Sequence, residues 1–361
     1  MTEASRSIAG GTCHVFHAFE VGYSIDIDQA ARRVSGADRI ALASSDRNVA
    51  GADFESRPLR VSIELAPITH ERFAVTPRAH VTIFHFGAMS VRLDIPLTGE
   101  TTALPQLART LVGQADLLHA ARTVATEVIQ LLGTAIVRPA LSTRCEDYMV
   151  FALLPEGDDL RAGLPDELIA RILRAEEGAL APEQVRDAVS ACTSYGTDDF
   201  AVIDWNGAII VDRTPEDALS VLEFANIELI EMRWLDDRLE DALDEAFRTA
   251  GQSMRGARIL SVQTGRHTRR IAELQIDAAA LYESVNNALK LFGDQWLARL
   301  HQSATHRLHI DDYERSVLRK LEALDSIYGK LRDRQVQIRA ELLEVVIIVL
   351  IAWEMLVLVR G

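Results

Sequence analysis

The stretch HVTIFHFGAMSVRLDIP, residues 80–96, reads as two β-rich runs about a single glycine, and FAVIDWNGAIIV, residues 200–211, repeats the form about Asn206-Gly207. Gly87 supplies turn dihedrals that other residues resist, and Asn-Gly between apolar runs is a strong short hairpin signal. Both stretches therefore predict β-hairpins. Val81-Thr82-Ile83 matches Ala201-Val202-Ile203, Gly87-Ala88 matches Gly207-Ala208, and Val91 matches Val211. Two explanations stand side by side: an internal duplication, or two hairpins that share an apolar-Gly-apolar pattern because both lie over one core.

Around these hairpins the chain alternates strand and helix. Cys13 to Val21 reads as a strand, followed by a short helix over Asp26 to Val34 that Ser24 or Asp26 caps. Ser44 to Arg57 is polar and reads as a loop; Leu59 to Leu65 alternates as a strand does. Thr102 to Ile136 carries leucines and valines at helical spacing, with a break near Gly113. Asp147 to Leu154 is a buried-type strand, and the runs starting at Pro165 and Pro182 open as helices. From Pro215 to Phe247 a long acidic helix buries Leu219, Leu222, Leu229, Leu239 and Leu243 on one stripe. Arg269 to Leu291, Gln295 to Ala304 and the chain from Ile310 onward continue in helical period.

The C-terminal run LLEVVIIVLIAWEMLVLV, residues 342–359, is just long enough as a helix to cross a bilayer core of about 30 Å. Its Leu, Ile and Val residues outweigh Glu344 and Glu354, which cost up to about 3 kcal/mol each near the centre of a membrane. Lys330, Arg332, Arg334 and Arg339 precede the run and Arg360 alone follows it, so the positive-inside rule keeps the body in the cytoplasm. A buried helix of a soluble oligomer is the competing reading. The expected architecture is α+β: a body of β-hairpins packed with helices over 1–214, a long antiparallel helical stalk over 215–341, and one transmembrane helix over 342–359. That places the chain at the bacterial inner membrane, tail-anchored, with Glu344 and Glu354 as oligomer contacts along the membrane helix.

Charge and cysteine usage narrow the function classes. The net charge is −15, and residues 141–250 hold 26 acidic against 9 basic residues, so the excess lies in the middle of the chain. Phosphate contacts need Lys and Arg, so a large nucleic-acid footprint on the body, DNA above all, is not expected. Cys13, Cys145 and Cys192 are odd in number and widely spaced, which fits a reducing compartment rather than a disulfide framework. Between Ala246 and Ala272 there is no acid, and Arg255, Arg258, Arg266, Arg269 and Arg270 follow Arg248. This stretch either pairs with the acidic helix end before it or contacts phosphate on lipid or RNA. The carboxylates from Asp236 to Glu245 read as a solvated helix face before a metal site, and His301, His306 and His309 fall on different faces of their helix.

Three segments carry a family resemblance: VLEFANIELIEMRWLDDRLEDAL (221–243), the run from Ala280 to Leu331, and RAELLEVVIIVLIAWEML (339–356). They resemble the YagE / required-for-meiotic-nuclear-division family, and VTIFHFGAMSV resembles that family's F-x-F-x-x-G-x-x-V strand pair. The resemblance implies an oligomeric membrane protein that acts as a tether, linked to translation in organellar members, with no catalytic residues to carry over. No G-x-S-x-G, Walker, Rossmann or H-E-x-x-H motif occurs. The sequence thus predicts a membrane-anchored oligomeric scaffold, not an enzyme and without a cofactor. Its expected partners are the bilayer, copies of itself, and a cytoplasmic protein or ribonucleoprotein. The competing functions are a membrane device with Glu354 on a polar axis, and an enzyme of unknown class.

Overall fold

The computed structural model describes residues 8, 10–34, 38–39, 57–155, 164–254, 274–276, 278–279 and 295–360. The first part comprises β1 (Gly11–Glu20), β2 (Ser24–Ile25), α1 (Ile27–Arg33), β3 (Asp38–Arg39), β4 (Leu59–Glu64), β5 (Thr69–His70) and β6 (Phe73–Ala74). Then come β7 (Arg78–Ile83), β8 (Ala88–Pro96), α2 (Leu104–Leu111), α3 (Ala115–Leu132), β9 (Ile136–Val137) and β10 (Glu146–Leu153). The rest comprises α4 (Asp166–Arg174), α5 (Pro182–Ala188), β11 (Cys192–Thr193), β12 (Phe200–Ile203), β13 (Gly207–Val211), α6 (Glu216–Met254), α7 (Gln295–Arg307) and α8 (Ile310–Arg360). The expected loop over 44–56 lies outside the described residues.

The strands do not remain separate hairpins. Nine of them form one mixed sheet in the order β11-β12-β13-β10-β1-β8-β7-β4-β3. Both expected hairpins are present, β7–β8 and β12–β13, and they take matching places on either side of the central β1–β10 pair. Direction separates them, because β8 runs antiparallel to β1 whereas β13 runs parallel to β10. One rotation cannot superpose two halves that differ in this way.

Their glycines differ too. Gly87 has φ +98°, and a Cβ there would lie 2.2 Å from the Gly22 carbonyl oxygen, so conformation and space both demand glycine. At Gly207 the demand is close approach alone: a Cβ would meet the Met149 carbonyl oxygen of β10 at 2.6 Å. At the start of α1, Asp26 caps the helix by accepting from the Gln29 amide at 2.8 Å. Gly113, at φ +63°, divides α2 from α3.

Alternation along β1 gives the sheet two unlike faces. Cys13, Val15 and Phe19 join Val91, Leu93 and Ile95 of β8 and Phe151 of β10 in a core covered by α1 to α4. His14, Phe16, Ala18 and Glu20 take the opposite face. There Phe224 of α6 packs its ring against Phe84 and against His301 of α7, and Asn226 donates to the Glu146 carbonyl.

The chain divides into two compact units, residues 1–232 with 280–311, and residues 233–279 with 312–361. In the second unit α6 and α8 lie side by side in parallel. Arg233 Nε donates to the Tyr313 hydroxyl, Ser316 donates to Asp236, and Lys320 binds Glu240, each across 80 residues of sequence. A constant offset means that the two helices run the same way. Leu274 and Ala278, between them in sequence, are buried, and most of the segment expected to run antiparallel before α8 lies outside the described residues.

The expected membrane anchor is also overturned. Among the described residues no helix is long and apolar enough to cross a membrane. The C-terminal run is the last part of α8, a single helix of 51 residues. Most of that helix is charged and amphipathic, and Glu344 and Glu354 fall inside the expected span, where each carboxylate opposes insertion. The single-pass topology and the inner-membrane location fall with it.

Candidate functional site

Three places gather chemistry that the core does not require. The first is the end of α8. At the offset of 80 residues that the paired contacts share, the last residue of α6, Met254, comes level with Arg334. The remainder of α8, to Arg360, continues for about 39 Å at 1.5 Å per residue past that point. Leu343, Val345, Val346, Ile347, Ile348, Val349, Leu350, Ile351 and Trp353 are each 50–66% exposed along it. Glu344 is exposed among them. Level with the pair itself, by contrast, Leu235 and Leu239 of α6 and Val317 and Leu324 of α8 are buried. Lys320 lies 2.9 Å from Asp236 and 3.1 Å from Glu240. Burial opposes its charge, but these two carboxylates hold its pKa above the ordinary lysine value. Arg255, Arg258, Arg266, Arg269 and Arg270, the expected phosphate contacts, lie outside the described residues.

The second place is the polar half of the sheet face that carries His14. Asp94 of β8 accepts from His14 Nδ1 at 2.7 Å, lies 3.0 Å from Arg92 Nε, and lies 3.7 Å from His80 Nε2. Burial raises the carboxyl's pKa, yet the hydrogen bond from His14 and the charge of Arg92 bring it below the usual carboxylate range. Burial and then Arg92 depress His80. Ser62 Oγ lies 3.2 Å from His80 Nδ1, while Arg60 donates to the buried Glu223 of α6 at 2.9 Å. Ser62, His80 and Asp94 thus stand in the order of a nucleophile, a base and an orienting group. The carboxylate's closer partners are His14 and Arg92, however, so its first role is to hold β1, β7 and β8 together across the face. Behind the sheet, His17 is buried with its Nδ1 unpartnered; burial, and then Arg122, push its pKa down to about 4.

The third place is a cradle of two arginines. Asp204, in the turn between β12 and β13, is fully buried and accepts from its neighbour's amide, Trp205 N, at 2.9 Å. Its carboxylate lies 2.6 Å from Arg174 Nε of α4 and accepts from Arg307 Nη2 of α7. Tyr148 donates to the Asp204 carbonyl at 3.0 Å; burial and then the Asp204 charge push that phenol well up. On their outer side the same guanidiniums grip Asp187 of α5. Arg307 meets its two oxygens at 3.2 and 3.3 Å, and Arg174 Nη2 approaches at 2.5 Å. The Asp187 side chain is nevertheless 54% exposed. The hydrogen bonds from Arg307, against burial and with help from Arg174, hold its pKa below the ordinary value. Trp205 is half exposed, with Arg174 Cζ 5.8 Å from its ring centre.

Sequence reasoning missed this cradle. Its four charged residues come from four elements, and Asp187 and Arg307 are 120 residues apart. The polar sheet face did have a signal. Ser90, Arg92 and Asp94 alternate with Val91, Leu93 and Ile95, as side chains do when one face of a strand meets an apolar core and the other a polar layer. The residues weighed for metal are engaged otherwise: His301 Nε2 lies 3.0 Å from Glu228, and Asp236 and Glu240 bind Lys320. Among the described residues no group of His, Cys, Asp or Glu is placed to hold a metal ion.

A mixed nine-stranded sheet, helix-covered on both faces and followed by a parallel helix pair, defines an α+β protein. The chain belongs to the family described as uncharacterized protein MJ0711, N-terminal domain, whose model matches residues 10–218. It is similar to uncharacterized protein MJ0711 of Methanocaldococcus jannaschii, 22% identical over 191 residues, which cover 52% of this chain and 58% of that protein. The chain thus spans under two thirds of that relative's length. No solved structure matches. These matches overturn the resemblance to the YagE / required-for-meiotic-nuclear-division family. The family match falls on the α+β body, whereas that likeness rested mainly on helical segments, where leucines at a 3.6-residue period recur in unrelated chains.

Proposed function

We propose that the chain is a self-assembling scaffold: the end of α8 binds further copies of the chain, and the α+β body is left to hold a partner protein. The observation that carries this reading is the apolar, exposed stretch from Leu343 to Trp353, beyond the level at which α6 ends. Its nine large apolar side chains expose on the order of 1,000 Å², comparable to the share each partner gives to a stable interface. A parallel pair that leaves one helix overhanging offers the same surface on every copy. That surface suits a closed symmetric bundle.

An assembly contact through Glu344 and Glu354, as expected for a helix in lipid, does not carry over to water. The two lie about 80° apart around the helix axis. In water that side is the one left to solvent, and the apolar side opposite it forms the seam. The test is the mass of the full chain by light scattering, beside a variant with Val345→Glu and Val349→Glu together, both on the side opposite the glutamates. The wild type forms a multimer and the double variant a monomer. A monomeric wild type at micromolar concentration refutes the proposal.

A further inference from the structure

We propose that Arg174 and Arg307 form a phosphate-binding cradle, that Trp205 beside it stacks an aromatic base, and that Asp187 is an internal carboxylate which the ligand displaces. The ligand class is a nucleoside monophosphate.

The cradle is built in two layers. The inner layer, Asp204, is fully buried and fixed by the Trp205 amide, Arg174 and Arg307. It aims both guanidiniums outward and neutralises one of their two charges. The outer layer is Asp187 alone, on a half-exposed side chain. Arg307 holds its two oxygens with two nitrogens, the fork-to-fork geometry that guanidinium also uses for phosphate.

An exposed ion pair contributes little net free energy, so Asp187 can be exchanged without loss of the fold. Once it swings aside, the two arginines and Asp204 carry one net positive charge. A phosphate monoester brings up to two negative charges and three acceptor oxygens, against one charge and two oxygens for Asp187. It therefore competes well for the same donors.

Trp205 extends the site from phosphate to nucleotide. Its indole is half exposed although it lies beside the arginines, with Arg174 5.8 Å from its centre. A large aromatic ring left in water beside a phosphate cradle is a stacking surface for a base.

The experiment is calorimetric titration of the full chain with inorganic phosphate, adenosine and adenosine monophosphate. The monophosphate binds about tenfold or more tighter than either part alone, because phosphate and base are held together. Asp187→Asn keeps the fold, checked by circular dichroism, and tightens phosphate and monophosphate binding by about tenfold, since the internal competitor loses its charge. Trp205→Ala lowers the monophosphate to the affinity of phosphate. If neither the wild type nor Asp187→Asn binds the monophosphate at millimolar concentration, the cradle is an internal ion-pair clamp and the proposal is overturned. If Asp187→Asn leaves affinity unchanged, displacement of the carboxylate is overturned.

Discussion

Replacing His17 by leucine will flatten the acid limb of this protein's stability. His17 is buried on β1, its Nδ1 lacks a hydrogen-bond partner, and its pKa falls from 6.5 to about 4. Above pH 6.5 the imidazole is neutral in both folded and unfolded chains and contributes no pH dependence. As pH falls below 6.5 the unfolded chain takes up a proton that the folded chain refuses, so folded stability drops. The loss grows by about 1.4 kcal/mol per pH unit and saturates near the folded pKa, at about 3 kcal/mol in total. Burial of His80 and His85 adds to the same limb in the same direction, so the useful quantity is a difference. Urea unfolding followed by tryptophan fluorescence at steps from pH 7 to pH 4 gives the slope for the wild type and for His17→Leu. The variant loses a drop of about 3 kcal/mol, roughly one proton's worth. An acid limb of unchanged steepness shows that His17 titrates alike in both states and refutes the reasoning.

Further outcomes follow from the geometry. Gly87→Ala destabilises by about 3 kcal/mol or more, since φ +98° and the Gly22 carbonyl both oppose a side chain; thermal unfolding reads it. Tyr148→Phe removes the donor to the Asp204 carbonyl and costs about 1–3 kcal/mol by the same assay. A thiol reagent modifies the exposed Cys192 first. Cys145, pushed up to about 12 by burial and then by Asp147, and Cys13, raised further by burial and then by Asp94, react more slowly without denaturant.

Local chemistry made most elements legible. Asp26 caps α1, Gly113 breaks α2 from α3, and Gly87 turns β7 into β8, because each signal lies within a few residues of its effect. Strand order was not legible. The parallel pairing of β10 with β13 joins residues 58 apart, and no turn residue marks it. The parallel course of α6 and α8 was not legible for a similar reason: apolar periodicity shows that each has a buried face but not which way the partner runs. The apolar run from Leu342 satisfied a length-and-hydropathy criterion, and its two glutamates counted for too little. As for the sites, the polar half of the sheet could be read from the alternation in β8. The cradle could not, since Arg174, Asp187, Asp204 and Arg307 meet only through the fold.

The parallel register of α6 and α8 sets a timetable for the chain as it is made. The buried stripe of α6, Leu235 and Leu239 among it, leaves the ribosome 80 residues before the stretch of α8 that pairs beside it. At common synthesis rates that is a wait of roughly 4–16 s. During it that stripe lacks its partner on α8. Slow codons between the two stretches will lengthen that interval.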